Sequence, residues 1–347
     1  MSDPIMVYIG MPLIKGIVIL GVLLLTVAYL TFAERKFLGY MQVRLGPNRV
    51  GPKGWLQPIA DGLKLFTKED LVPGRAERFV FMLAPILIFA PAILVWAVIP
   101  FGEAFTIGGV EIQPFLADIN IAVLFVLAVS TIGVYGIILG GWASNNKFSL
   151  MGGLRSAAQM VSYEVPMGFA VVSVLLMAGT LSLVGIVEAQ RDFGLWFIFP
   201  GILGFGIYFV CGVAETNRNP FDLPEAEAEL VAGFHTEYSG MKFAFFYLAE
   251  YANMLVVSSL AVILFFGGWN GPAPDSGFLS GLMPVMWFFF KTWLLLFVFI
   301  WVRATLPRMR YDQLMTFGWK RLIPASLGWL VLVTLATAIR RFGAPWA

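Results

Sequence analysis

One cysteine and one histidine stand among 347 residues, and only 13% of the residues are charged. Soluble domains carry about a quarter charged residues, so the shortage excludes a water-soluble globular enzyme. A length that would allow two soluble domains is better filled by one helical block in a bilayer. Cys211 and His235 cannot between them make an intrachain disulfide, a thiolate-ligated iron–sulfur cluster, a tetrahedral zinc site or a bis-histidine haem. No G-x-G-x-x-G follows a strand pattern and no G-x-x-x-x-G-K-[ST] occurs. Ser144–Lys147 matches S-x-x-K without its companion motifs. No basic patch is interleaved with exposed aromatics, so nucleic acid is not an expected partner. The chain brings no redox centre of its own.

Apolar sequence is what it has in quantity, at 59% of residues. Charge-free runs long enough to cross about 30 Å of hydrocarbon recur along the chain, and one further run, 276–302, is interrupted only by Lys291. The short alternating segments of a membrane barrel are missing. The expectation is an all-α integral membrane protein, a single membrane domain over 1–347. Eight transmembrane helices are expected near 12–33, 79–101, 119–141, 160–186, 194–214, 245–268, 283–303 and 322–340. Connections 34–78, 142–159, 215–244 and 304–321 are expected to be cytoplasmic, because the odd-numbered connections hold 18 of the 23 basic residues. Lys15, Arg191, Arg340 and Arg341 fall on the other side, with both termini. Met1-Ser2-Asp3-Pro4 lacks the basic start and cleavage site of a signal peptide, so the first span is expected to stay.

In the first connection, Trp55, Leu56, Ile59, Leu63 and Phe66 recur at helical spacing, with Asp61, Lys64 and Lys68 mostly on another face. This pattern predicts an interfacial amphipathic helix. The basic-side connections are too apolar to be merely solvated, which makes them a candidate docking face.

Ionisable residues inside spans are costly and mark function. Glu164 and Glu250 sit roughly 10 Å inside two helix ends, at 1.5 Å per residue, and Glu215 closes the span between them. Pro166 predicts a kink beside Glu164. Asp222, Glu225, Glu227 and Glu229 follow in the next connection. Asp222 with Glu225 also fits a D-x-x-E capping box, with Pro224 in a first turn. Capping does not explain Glu229, which stacks on Glu225 as a like-charge pair. Closely spaced carboxylates couple their proton affinities and can pass protons. Lys291, deep in a span, is expected to pair with a carboxylate on a neighbouring helix. His235, as a lone histidine, fits a packed or interfacial residue better than a ligand.

The run from Glu215 through Arg218, Asp222, Glu225, Glu227 and Glu229 to Gly233 resembles the signature loop of the subunit 1 (H) family of proton-pumping NADH:quinone oxidoreductase, respiratory complex I. Ala33–Lys36, Arg44–Pro52, Ser162–Val165 and Pro307–Leu314 are similar to its other motifs, so the likeness runs from the first span to the last. His235 departs from a frequent Asn of the family. The resemblance implies an eight-helix subunit at the heel of the complex, forming the tunnel by which a quinone, ubiquinone by expectation, leaves the bilayer. FMN and iron–sulfur clusters would lie in partner subunits: peripheral-arm subunits carrying the terminal cluster, beside antiporter-like membrane subunits. Helices 2 to 6 are implied to resemble the five-helix unit of those pumps. Glu164, Glu215, Asp222, Glu225, Glu227, Glu229 and Glu250 match the family's acidic path from quinone cavity to membrane, and Arg35, Asp61 and Arg303 match its tunnel and entrance. The implied location is a bacterial inner membrane, ahead of a mitochondrial one, with both termini periplasmic. Two alternatives stand beside it: the homologous ion-translocating subunit of a membrane-bound hydrogenase, and a stand-alone secondary transporter, for which no inverted repeat is seen.

Overall fold

A computed structural model of the chain describes residues 10–107, 110–224, 227–272 and 278–342. Where water is absent, a backbone must satisfy its own polar groups, and a lone segment does so only as a helix. The apolar runs accordingly fold as helices: α1 (Met11–Met41), α3 (Arg78–Leu94, extended by a 3-10 turn Val95–Ala97), α4 (Ala122–Ala143), α5 (Lys147–Ala178), α9 (Gly240–Phe265), α10 (Phe278–Thr305) and α12 (Ile323–Phe342). Shorter helices link them: α2 (Gln57–Thr67), α6 (Leu183–Phe193), α7 (Ile202–Glu215), the single turn α8 (Glu227–Leu230) and α11 (Tyr311–Phe317). A two-stranded hairpin, β1 (Phe105–Ile107) against β2 (Val110–Ile112), is the one strand pair among the described residues.

Among the described residues, seven stretches of helix are long and apolar enough to cross a membrane. The eighth expected span is shorter than the sequence implies. Its helix, α7, has 14 residues, about 21 Å at 1.5 Å per residue. The missing part, around Phe197, is a turn: the Phe197 amide donates to Gln190 Oε1 at 3.1 Å and the Ile198 amide to the Phe265 carbonyl at 2.9 Å. Pro200, which has no amide to donate, precedes the helix. Two connections are more helical than expected. α5 begins at Lys147 because the Asn146 side chain caps it, accepting from the Phe148 amide at 2.9 Å. α11 runs into α12 through a π turn, Gly318–Leu322, so 304–321 is largely helix.

α9 is the core. Every residue from Met254 to Phe265 is buried, as expected of a helix apolar all round. α1, α3, α7 and α10 pack on it. Close packing relies on small residues: a Cβ at Gly212 of α7 would stand 2.4 Å from Val257 of α9, and one at Gly136 of α4 would meet the α3 backbone at 2.8 Å. α2 keeps Trp55, Leu56, Ile59, Leu63 and Phe66 of its neighbourhood exposed.

Candidate functional site

A carboxylate in a membrane helix needs cations or donors around it. Glu34, near the end of α1, is 2% exposed and has three such partners. Arg218 Nη1 donates to its Oε1 at 3.1 Å, Arg303 Nη1 donates to the same oxygen, and the Tyr251 hydroxyl donates to Oε2 at 2.5 Å. Arg218 also reaches Glu250, Nε to Oε1 2.7 Å, as an ion pair outside hydrogen-bond alignment, and its guanidinium lies 4.3 Å from the Tyr251 ring centre. Two arginines and two glutamates thus form one charge-balanced cluster drawn from α1, the α7–α9 connection, α9 and α10, buried at Glu34 and Arg218 and half-buried at Glu250 and Arg303.

The connection holds Arg218 in place by tying itself to the end of α10. Asn219 Nδ2 donates to the Arg303 and Leu306 carbonyls at 3.2 and 2.9 Å, and the Met309 amide donates to the Pro220 carbonyl at 3.0 Å. The Arg303 and Leu306 carbonyls are ones that a helix end leaves without partners. On the other side, Gln159 of α5 donates to the Ala214 carbonyl at 2.7 Å and to Asn217 Oδ1 at 3.2 Å.

Cavities lie on both sides of the cluster. Outside it, an open cavity of about 510 Å³ is lined by Leu38, Gln42, Asn219, Asp222, Arg303, Ala304 and Arg308. Inside it, a cavity of about 30 Å³ is lined by Glu250, Tyr247, Asn253, His235 and Glu215 among others, enough for one or two waters. Glu215 is buried there, and among the described residues its Oε2 has no hydrogen-bond partner. Glu164 lies within electrostatic reach of it and is itself hydrogen-bonded to the Thr131 hydroxyl of α4. Asp222, Arg303, Glu250, Glu215 and Glu164 therefore follow one another from the open cavity into the helices.

The other candidates are placed differently. Glu229 is exposed and ion-paired to Arg155 of α5 at 2.7 Å, and that hydrogen bond, with Arg308 and Arg310 nearby, holds its carboxyl below the usual range. Glu227 lies on α8, and Glu225 lies outside the described residues, as does the capping box expected with it. Burial pushes the His235 imidazole down to about 4, so the ring is neutral between Phe234 and Phe243. Arg35 and Asp61 pair with each other at 2.6 Å, joining α1 to α2, and Gln57 donates to Asp61 at 3.1 Å. Arg303 is not with them but on Glu34.

Lys291 overturns an expectation. Among the described residues its partners are not carboxylates: Nζ donates to the carbonyls of Phe266, Gly268 and Asn270 at 2.9, 2.9 and 2.7 Å and lies 4.5 Å from the Trp196 ring centre. It closes the end of α9, where carbonyls run out of helical donors. Sequence reasoning in turn missed Glu34, Arg218 and Tyr251 as a unit. The available signal was Glu34 itself, an acid at the end of the first apolar run.

Comparison with known proteins agrees over nearly the whole chain. Residues 14–334 match the family described as NADH dehydrogenase. The chain is 53% identical over 324 residues to the NADH-quinone oxidoreductase H subunit of Magnetococcus marinus, covering 93% of this chain and 90% of that protein. It is 50% identical over 348 residues to the NADH-quinone oxidoreductase H subunit 1 of Geobacter sulfurreducens, covering 97% of each.

Proposed function

The chain belongs to the NADH dehydrogenase family as the H subunit of NADH-quinone oxidoreductase, and we propose that within that complex it brings quinone to the reducing site and links the reduction to proton movement. Glu250 carries this reading: it is ion-paired to Arg218 in the cluster beside the open cavity, and it lines the small cavity that holds Glu215. Electrons reach the quinone from NADH through FMN and iron–sulfur clusters of peripheral-arm partners, so this chain supplies position, charge and protons.

Quinone taking two electrons must take two protons to become quinol. The exposed apolar residues of α2 lie in the membrane interface, where the Arg35–Asp61 pair holds α2 to α1 at the quinone entrance. Asp222 and Arg303 face the open cavity, and Glu250, Glu215 and Glu164 form the row behind it. A unit charge gained or lost 4 Å from a neighbouring acid is worth about 4 kcal/mol at an effective dielectric of about 20, a bias of roughly a thousandfold on a two-state path. Glu229, exposed and paired to Arg155, extends the acidic face toward the docked partners. The membrane is a bacterial inner membrane, with the basic end of the bundle cytoplasmic.

Glu→Gln keeps shape while removing the charge, so Glu164→Gln and Glu250→Gln should leave the complex assembled and NADH oxidation by hydrophilic acceptors intact. Quinone reduction and quinone-linked proton uptake should both fall at least tenfold. Wild-type quinone reduction with an unchanged proton-to-electron ratio in both variants would overturn the proposal.

A further inference from the structure

At the end of the bundle opposite the acidic cluster, α5, α6 and α12 enclose a cavity of about 800 Å³. Its floor and walls are apolar: Trp329, Leu332 and Val333 of α12 face Met177 and Phe197 across it. Its rim carries Arg340, Arg341 and Asp192. From Trp329 to Arg340 the groove follows α12 for about 16 Å at 1.5 Å per residue, close to half of a hydrocarbon core about 30 Å thick. The cavity is therefore one leaflet deep, apolar below and charged at the level of the headgroups.

The two guanidiniums are held by neighbouring elements. Arg340 lies 4.5 Å from the Phe193 ring centre. Arg341 Nη2 rests against Gly179, the left-handed residue ending α5, so closely that a Cβ there would stand 2.6 Å from it. Among the described residues neither arginine has an ion pair with a carboxylate. Arginines at a helix C-terminus complement the dipole, which accounts for their presence on α12 but not for an apolar groove of leaflet depth beneath them.

We infer that this groove binds an anionic phospholipid of that leaflet, its phosphate on Arg340 and Arg341 and its acyl chains along α12. Two arginines against one Asp192 leave the rim net positive, which selects a negatively charged headgroup. Asp192 accepts hydroxyl donors, so the headgroup that satisfies the whole rim is the glycerol of phosphatidylglycerol.

The test uses the assembled complex with benzoylphenylalanine placed at Leu332, reconstituted into nanodiscs of phosphatidylcholine with or without one-quarter phosphatidylglycerol. Irradiation should give phosphatidylglycerol and phosphatidylcholine adducts on the α12 peptide in a ratio at least tenfold above the ratio of the two lipids in the bilayer, and Arg340→Gln/Arg341→Gln should reduce it to the bulk ratio. A crosslink to another subunit, or adducts in proportion to bulk lipid in the unsubstituted arginine background, would overturn the assignment. The wild-type-arginine arm decides the matter even where the double variant fails to assemble.

Discussion

Arg218 is the keystone of the buried cluster, and its removal has a calculable effect. Arg218→Met keeps the length and the apolar stem but withdraws the cation 2.7 Å from Glu250 and 3.1 Å from Glu34. Glu34 retains Arg303 and the Tyr251 hydroxyl, whereas Glu250 has no other ion pair at this distance among the described residues. At an effective dielectric of about 20, the direct attraction at such separations is about 5–6 kcal/mol, partly offset by the cost of desolvating both groups. Removing one member of a buried pair typically costs about 3–5 kcal/mol, because the other is left uncompensated. The expected outcome is a complex that melts several degrees lower and assembles in reduced yield. Adding Glu250→Gln should restore about 2–3 kcal/mol of that loss, since an amide needs no counter-ion. Adding Glu34→Gln should restore less, because Glu34 is still paired. Purified complex from wild type, the three single variants and the two double variants, compared by thermal denaturation and by subunit yield, measures the coupling. Strictly additive effects of Arg218→Met and Glu250→Gln would refute the reasoning.

Three further outcomes are expected. With Cys211 buried, an impermeant thiol reagent added outside right-side-out vesicles should label a cysteine placed at Glu103 and not one at Lys53; the reverse pattern reverses the orientation. His235 titrates in the unfolded chain near 6.5 but only at about 4 when folded, so the unfolded state binds the extra proton and stability drops as pH falls from 6.5 toward 4, by at most about 1.4 kcal/mol per pH unit. His235→Asn should flatten the thermal midpoint across that window, and an unchanged slope would refute the burial argument. Lys291→Met strips a charged donor from three carbonyls, each such bond being worth about 1.5–3 kcal/mol, so amide exchange at the end of α9 should accelerate at least a hundredfold; wild-type protection there would show that the carbonyls have other partners.

What sequence made legible and what it hid divide along a physical line. Charge-free length identifies a membrane helix because hydrocarbon demands it, so α1, α3, α4, α9 and α10 follow from composition. Termini depend on single capping contacts. Asn146 starts α5 at Lys147, and Gln190 holds Phe197 in a turn that shortens α7; neither side chain differs in type from many that cap nothing. The acids at depth were legible because each is costly alone. Their partners were not, since Arg218 lies 184 residues from Glu34 and in a connection that reads as a docking face. Lys291 shows the same limit from the other side. Its partners are backbone carbonyls, which every residue has, so sequence could announce a buried cation and not what satisfies it.

The cluster also explains why charges so expensive to bury sit where they do. Glu34 is shared by two arginines, and Glu250 is held by one of those same two. A proton delivered to Glu34 weakens two ion pairs, while one delivered to Glu250 weakens one and leaves Arg218 still bound to Glu34. The cluster is therefore unequal: Glu34 is its fixed anion, and Glu250 is the member whose charge changes at lower cost. Glu250 is also the member that lines the small cavity shared with Glu215. Arrival of negative charge in the open cavity beside Arg303 would draw that arginine away from Glu34, pull Arg218 toward Glu34, and weaken its hold on Glu250. Under the function proposed above, the field of a reduced quinone would reach Glu215 through the sharing of two arginines, with no helix required to move.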